Sequence, residues 1–385
     1  MMTNFFSDLS HCRVLLVDDV RDNITILIET LKDDYQLGFA LNGPDALKYA
    51  KHKSPDLILL DIVMPDMDGY EVCRRLKSDP DTRDIPVLFI TSLDEIENKT
   101  NAFEVGAVDY ITKPFELLEI KARVKTHLTL KLARQALAAQ RDRLQQSLDL
   151  AMEVQQSLLP KENPRIAGLD IAGKSVYCDE TGGDYYDFLN LGPGKIGLIV
   201  GDVSGHGIQS ALLMTTVRGS LRQRIQQPDC LARIVADLNR QFHTDVDNSG
   251  HFMTLFVCEI DICSRNLRWV RAGHDPGMVY NAAADTFHEL GGSGLPLGVT
   301  QDGQFEEGTG AIDNRQILVI GTDGIWEAFD SKGRRFGKER FKEIIRSSAH
   351  LPANVMAERV IESVQDFRHP LKIEDDVTLV IVKFE

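Results

Sequence analysis

Asp18, Asp19, Asp61, Thr91 and Lys113 each stand at the end of a short apolar run, in RVLLVDD, DLILLDIV, IPVLFITS and VDYITKP. Three carboxylates gathered at one place would repel one another and hold their protons unless a cation sat among them. A hard divalent ion such as Mg²⁺ suits an all-oxygen pocket of this kind and keeps an open face for phosphate. Loop-end aspartates are ordinary when taken singly. Here they come with D-x-x-x-P-x-x-D-G at Asp61, Pro65, Asp68 and Gly69, a hydroxyl at Thr91, and Lys113 followed by Pro114.

A second acidic group lies in GGDYYD (Asp184, Asp187), GDVSGHG (Asp202), GTDGIWE (Asp323) and DDVTLVIV (Asp375, Asp376). Asp202 closes KIGLIVGD, Asp323 closes QILVIGTD and Asp375 opens the run into VTLVIVKF, so adjacent central strands could carry these carboxylates to one spot. Lacking Cys and His ligands, such a cluster favours Mg²⁺ or Mn²⁺ over zinc, and the flanking glycines let backbone approach a metal or phosphate closely. Two such ions about 4 Å apart can activate water and clamp a phosphoryl group for in-line attack with no protein nucleophile. The missing motifs agree: there is no GxSxG elbow, no catalytic cysteine loop and no P-loop. A lone Asp-Gly is a turn more often than a ligand, and His206 alone reads as a loop residue. Four such motifs in one domain, three of them beside apolar strands, exceed what turns account for.

The elements that must position these residues differ between the two halves. Residues 11–127 alternate β-type runs with amphipathic stretches near 22–33, 44–53, 68–78 and 94–105, which predicts an α/β domain with a doubly wound, five-stranded parallel sheet. In such sheets the site lies at the carboxyl ends of the strands. From Glu116 to Leu159 there is no glycine and proline only flanks the segment, so one long helix is expected. Leu130, Leu137, Leu144, Ala151 and Leu158 recur every seven residues, a coiled-coil spacing that predicts pairing with a second copy, although the companion positions are not consistently apolar. Beyond Pro160, LNLGPGKIGL and FMTLFVCEIDICSRNLRWVRAG read as hairpins, and 210–226, 230–242, 338–349 and 354–367 as helices of an α+β domain. The division is thus 1–128, a helical linker at 129–160, and 161–385.

On these residues, 12–128 resemble the CheY-like receiver domains of two-component response regulators. About 150–385 resemble the protein phosphatase 2C (PPM) family in its bacterial sporulation and stress-response branch, down to the helix end AMEVQQSLLP. The first resemblance implies that Asp61 accepts phosphate from a histidine kinase or phosphorelay donor. It further implies that Asp18, Asp19, Asp61 and the Val63 carbonyl hold Mg²⁺, that Lys113 contacts the phosphoryl group, and that Thr91 and Tyr110 re-set in the switched state. The second implies a two-sheet β-sandwich flanked by helices and binding two Mn²⁺ or Mg²⁺ ions. In that resemblance Asp202 bridges both ions, the Val203 carbonyl is a backbone ligand, Asp323 and Asp375 complete the second ion, and Asp184 is a further ligand, direct or through water. Asp376 would exchange with Asp375 if the register shifts by one. Eukaryotic members place a histidine two residues after the bridging aspartate and a phosphate-binding arginine upstream. Here His206 lies four after Asp202 and no arginine stands near GGDYYD in the sequence, so the general acid is unassigned.

Composition narrows the setting. With 43% hydrophobic and 26% charged residues the chain is globular in character, and no run approaches the eighteen or so apolar residues of a membrane span. MMTNFFSDLSHC does not read as an export signal, and six scattered cysteines without a CxxC pair suggest neither a disulfide framework nor zinc, so the cytoplasm is expected. A formal charge of −15 opposes non-specific attraction to nucleic acid, and no helix-turn-helix region follows the first domain. The combined reading is a response regulator whose output hydrolyses phosphoserine or phosphothreonine on a partner, with a phosphorylated STAS-type anti-sigma-factor antagonist as the substrate the resemblance implies. The competing reading is a catalytically silent adapter; relatives of that kind lose metal aspartates, whereas this chain keeps Asp184, Asp202, Asp323 and Asp375.

Overall fold

The computed structural model describes residues 8–92, 103–114, 116–179, 181–247 and 249–385, so most of the helix expected at 94–105 lies outside the described residues. The chain forms two compact units, Met1–Leu144 and Gln145–Glu385.

In the first unit the strands are β1 (Arg13–Val17), β2 (Gln36–Ala40), β3 (Leu57–Asp61), β4 (Val87–Ser92) and β5 (Asp109–Lys113). They pair in parallel in the order β2-β1-β3-β4-β5. Every residue of β3 is buried, as a central strand covered on both faces must be, which is why LILLD reads as one apolar run. Helices α1 (Arg21–Leu31), α2 (Gly43–Lys53) and α3 (Gly69–Ser78) complete the described crossovers. The starts of α2 and α3 are set by side chains: Asn42 accepts the Asp45 N–H at 2.9 Å and Asp68 accepts that of Glu71 at 2.7 Å, each satisfying an orphan donor of the first turn.

The helix α4 (Leu117–Leu158) is continuous for 42 residues. Ile120, Val124 and Leu128 recur every four residues and are fully buried in the first unit. Ion pairs flank this stripe, from Lys121 to Asp34, Arg123 to Asp109 and Lys131 to Asp56. Further along, the heptad leucines Leu130, Leu137 and Leu144 are 45%, 68% and 62% exposed.

The second unit has four layers. One antiparallel sheet, ordered β13-β10-β9-β8-β7, comprises β7 (Asp184–Asn190), β8 (Lys195–Val203), β9 (Met253–Asp261), β10 (Asn266–Ala272) and β13 (Glu307–Ala311). The other, ordered β12-β11-β14-β15-β6, comprises β6 (Leu169–Val176), β11 (Gly277–Asn281), β12 (Thr286–Leu290), β14 (Gln316–Gly321) and β15 (Val377–Phe384). Leu198, Val200 and Phe256 of the first sheet meet Leu318, Ile320 and Val380 of the second between the layers. The alternate residues Ile199 and Val257 face α5 (Ile208–Arg224) and α6 (Leu231–Asp245), while Val319 and Ile381 face α7 (Lys338–Ser348) and α8 (Ala353–Arg368). Period-two alternation thus buries both faces of each central strand. This is the helix-flanked two-sheet sandwich expected.

Between β10 and β11, His274 is buried; its Nδ1 bonds the Asp275 carbonyl at 2.9 Å and its Nε2 has no partner among the described residues. Burial lowers its pKa to about 4 from an ordinary 6.5. Because the folded value lies below the unfolded one, the neutral ring's contribution is complete above pH 6.5 and is lost as pH falls toward 4, a change of about 3 kcal/mol. His274→Asn should therefore move the acid-unfolding midpoint of this unit, followed by circular dichroism, to lower pH; an unmoved midpoint would remove His274 from the acid limb.

Candidate metal centres

Parallel strands point their carboxyl ends to one edge, and β1 and β3 are neighbours there, at the point where strand order reverses. The carboxylates of Asp18, Asp19 and Asp61 accordingly offer oxygens that all lie within 4.8 Å of one another. Lys113, at the end of β5, reaches Asp61 Oδ1 at 2.8 Å and Asp18 Oδ2 at 3.0 Å. Burial pushes the Asp61 pKa up to about 6 against the opposing pull of the Lys113 ammonium. Asn23, which carried no signal in the sequence, donates to both oxygens of Asp18 at 3.0 and 2.9 Å and fixes that carboxylate. Thr91 is buried near the end of β4, Val63 is exposed in the loop beyond β3, and Tyr110 lies in β5 with the Arg123 guanidinium 5.9 Å from its ring centre. Arg123 also holds Asp109, next to Tyr110, through 2.7 Å bonds to both carboxylate oxygens.

In the second unit the acidic motifs come from two sheets. Asp184 and Asp202 are register partners on β7 and β8. Asp323 follows β14, and Asp375 and Asp376 precede β15, on the facing sheet. Burial raises the Asp202 pKa to about 8, with the charges of Asp323 and Asp375 adding to it. Burial, then the Asp202 charge, raises Asp184 well above the usual carboxylate range. Desolvation and the Asp323 charge lift Asp375 to about 6, and Asp323 is raised by burial and by Glu327. The four carboxylates thus share one electrostatic site across the end of the sandwich. They are spread more widely than the first trio, since no second set of three within 4.8 Å occurs among the described residues. None of the four forms an ion pair among the described residues, in contrast to Asp61 with Lys113. Hard oxygen donors, raised pKa values and missing counter-charges together fit divalent cations such as Mg²⁺ or Mn²⁺.

The structure separates residues that the motifs grouped. Asp376 is buried, and its carboxylate accepts the N–H groups of Cys178 (2.9 Å), Gly183 (2.8 Å) and Asp184 (3.3 Å). Its lone pairs hold the GGD loop, whereas Asp375 accepts one backbone N–H, that of Asp376 at 2.9 Å. Asp187, three residues from Asp184 and so on the opposite face of the strand, is fully buried with Arg222 of α5 at 2.6 and 2.7 Å and the Tyr185 hydroxyl at 2.7 Å. An arginine does stand beside GGDYYD, supplied from a distant helix and committed to Asp187. His206 is exposed and bonds Asp179 at 2.5 Å.

Three further residues position the site. Thr322 donates to Asp184 Oδ2 at 2.8 Å and accepts from the Thr378 N–H at 3.0 Å. Gln155, buried near the end of α4, donates to the Gly182 carbonyl at 2.6 Å and accepts the Gly182 N–H at 3.2 Å, clasping one peptide unit from both sides. Gly183 must lack a side chain, because a Cβ would sit 2.6 Å from the Val203 carbonyl oxygen. Thr322 could have been suspected from its place in GTDG; Gln155 lies in AMEVQQSLLP, but nothing in that segment pointed to Gly182 as its partner.

Comparison with known proteins identifies both halves of the chain. The family model for Stage II sporulation protein E (SpoIIE) matches residues 192–385, and that for the response regulator receiver domain matches residues 14–125. A probable cyclic di-GMP phosphodiesterase of Vibrio cholerae is 44% identical over 138 residues, covering 36% of this chain and 31% of that protein. The phosphoserine phosphatase RsbU of Bacillus subtilis is 27% identical over 252 residues, 65% of this chain and 73% of its own. The crystal structure of the RsbU and RsbW domains of Rv1364c from Mycobacterium tuberculosis superposes with a TM-score of 0.51 at 27% identity, covering 58% of this chain and 61% of that one. The chain spans less than a third of the length of the first curated relatives it matches, 31% and 27%.

Proposed function

The chain belongs to the Stage II sporulation protein E family and carries a response regulator receiver domain ahead of the matched region, and from that premise we infer that it is a receiver-controlled, metal-dependent protein serine/threonine phosphatase. The observation that carries this reading is the convergence of Asp184 and Asp202 from one sheet with Asp323 and Asp375 from the other, none with a cationic partner among the described residues.

Two divalent ions, when bound, supply Lewis-acid and water-activating chemistry. Asp184, Asp202, Asp323, Asp375 and the Val203 carbonyl would hold these ions. Thr322 and the Asp376-bound loop keep Asp184 in one rotamer and one position, so the site is pre-organised for the charge of a phosphoryl group. In the receiver, Asp61 accepts phosphate from a histidine kinase or phosphorelay donor, and Asp18, Asp19, Asp61 and the Val63 carbonyl would hold an Mg²⁺ ion. Lys113 shifts from Asp18 and Asp61 to the new phosphate oxygens, and Thr91 and Tyr110 respond to that charge. Arg123 fixes the beginning of α4 beside Tyr110, and Gln155 fixes its end beside the metal loop. One continuous helix therefore links 1–128 with 161–385 through the linker at 129–160. The exposed leucines at 130, 137 and 144 fit pairing with a second copy, giving a homodimer in which helix pairing modulates the Gln155 clasp. The substrate is a phosphorylated protein, of the STAS-type anti-sigma-factor antagonist class, and the setting is cytoplasmic; no described helix is long and apolar enough to cross a membrane.

Release of phosphate from a phosphoserine peptide tests the reading directly. Turnover should require Mn²⁺ or Mg²⁺ and vanish with chelation; no turnover of any phosphopeptide at millimolar Mn²⁺ would replace the enzyme with a binding adapter. Loading the receiver with a phosphoryl mimic should change the rate several-fold in the wild type and leave Asp61→Asn unmoved. Equal rates in both would remove the coupling.

A further inference from the structure

The hairpin that leaves the metal site at Asp323 has a charge opposite to that of the protein as a whole. Against a net charge of −15, residues 327–342 carry Lys332, Arg334, Arg335, Lys338, Arg340 and Lys342 against Glu327, Asp330 and Glu339. The segment is rigidly built. Phe336 N–H bonds the Ala328 carbonyl at 2.8 Å and Asp330 N–H the Arg334 carbonyl at 3.0 Å, and Phe329 and Arg335 form an antiparallel bridge. At the tip the buried Asp330 accepts the N–H groups of Lys332 and Arg334 at 2.9 Å each, and Gly333 takes a left-handed φ of 73°.

The inner positions Ala328, Asp330 and Phe336 are buried, while Phe329, Lys332, Arg334 and Arg335 are exposed, Phe329 at 43%. Arg335 lies over the Phe329 ring at 5.9 Å and pairs with Glu327 at 2.6 Å; Glu327 in turn donates its N–H to the Asp323 carbonyl at 2.8 Å. The arginine face is thus one ion pair and one helical turn from a metal-site aspartate. Lys332 has no ion pair among the described residues.

We propose that this face, formed by Phe329, Lys332, Arg334 and Arg335, is the docking surface for the phosphoprotein substrate, and that it selects phosphosites flanked by acidic residues. The proposal rests on the phosphatase reading for its occupant. A phosphorylated, acidic partner is repelled by most of a −15 surface and attracted at this patch, so the field orients the phosphate toward Asp323 before contact. Arg334 is paired with Asp330 at 2.7 Å and Arg335 with Glu327, so the patch attracts carboxylate and phosphate oxygens through its net positive charge, led by Lys332, unpaired among the described residues, and Phe329 supplies the apolar contact that a purely ionic patch lacks.

The test uses the full chain and two fluorescein-labelled phosphoserine peptides, one flanked by Asp and Glu and one by Lys. With metals chelated, fluorescence anisotropy should show the acidic peptide bound at least tenfold more tightly. K332E/R335E should abolish that preference and K332R/R335K should keep it. In Mn²⁺, the reversal variant should raise KM for the acidic peptide at least tenfold with kcat little changed, and should shift KM for p-nitrophenyl phosphate less than twofold. Equal affinity for both peptides, a preference retained in K332E/R335E, or equally tight binding of a single-stranded DNA oligonucleotide would overturn the proposal. Failure of the wild type to hydrolyse p-nitrophenyl phosphate would count against the phosphatase reading, while the anisotropy arm still decides the docking surface.

Discussion

Asp202→Ala is expected to lower metal-dependent phosphopeptide hydrolysis by about 10³-fold or more while making the metal-free protein more stable. The activity loss follows from the role proposed for Asp202, which pairs in register with Asp184 on its own sheet and feels the charges of Asp323 and Asp375 on the other. A loss of several kcal/mol of transition-state stabilisation corresponds to that many tenfold steps. The stability gain follows from the sign of the pKa shift. Burial and like charges raise the folded-state pKa of Asp202 to about 8, so between pH 4 and 8 the folded state holds more protons than the unfolded one. Stability of the metal-free protein therefore falls as pH rises through this range. Removing the carboxylate removes that penalty. Differential scanning fluorimetry at pH 8 with chelator should show the second unit of Asp202→Ala melting above that of wild type, and addition of Mn²⁺ should raise the melting temperature of the second unit in wild type alone, since ligand binding to the native state stabilises by mass action. An undiminished Mn²⁺ shift in the variant would exclude Asp202 as a ligand.

Asp376→Asn should destabilise the second unit and also disable it, through the loop that its carboxylate holds. Its carboxylate receives three backbone N–H groups from Cys178, Gly183 and Asp184. An amide keeps one acceptor and turns an NH₂ against the remaining donors, at a cost of about 2–4 kcal/mol for buried groups left unmet. For a domain of this size that is roughly 5–10 °C in melting temperature. Asp184 rides on the same loop, and a displacement of about 1 Å can cost roughly 10²-fold in rate. The pairing of these two effects separates Asp376 from Asp375, whose replacement should weaken metal dependence with little loss of thermal stability. A melting curve for Asp376→Asn that overlays wild type would contradict the loop-holding role.

The receiver pocket was legible because of a property of parallel sheets. Every strand runs the same way, so a polar residue at the end of each apolar run must arrive at one edge, and Asp18, Asp61, Thr91 and Lys113 could be placed together from their positions alone. Asn23 escaped because a helix residue facing a strand end carries no distinguishing pattern. In the second unit, strand-adjacent aspartates and glycines announced a hard-cation site, but antiparallel strands leave open which ends meet. That Asp187 belongs elsewhere was available in principle, because residues three apart on a strand face opposite sides; its partner Arg222 was not.

The sequence by itself determined the elements, the two-part organisation and the inventory of acidic residues, since apolar periodicity, caps and glycine positions are local properties. Tertiary structure alone decided the layer order that sets Asp184 and Asp202 opposite Asp323 and Asp375, the commitment of Asp376 to backbone N–H groups 192 to 198 residues away, and the Gln155 clasp on Gly182. These depend on the packing of two sheets and a helix end. Such contacts are chosen by burial and hydrogen-bond satisfaction summed over distant segments, and a local stretch of chain holds no record of that sum.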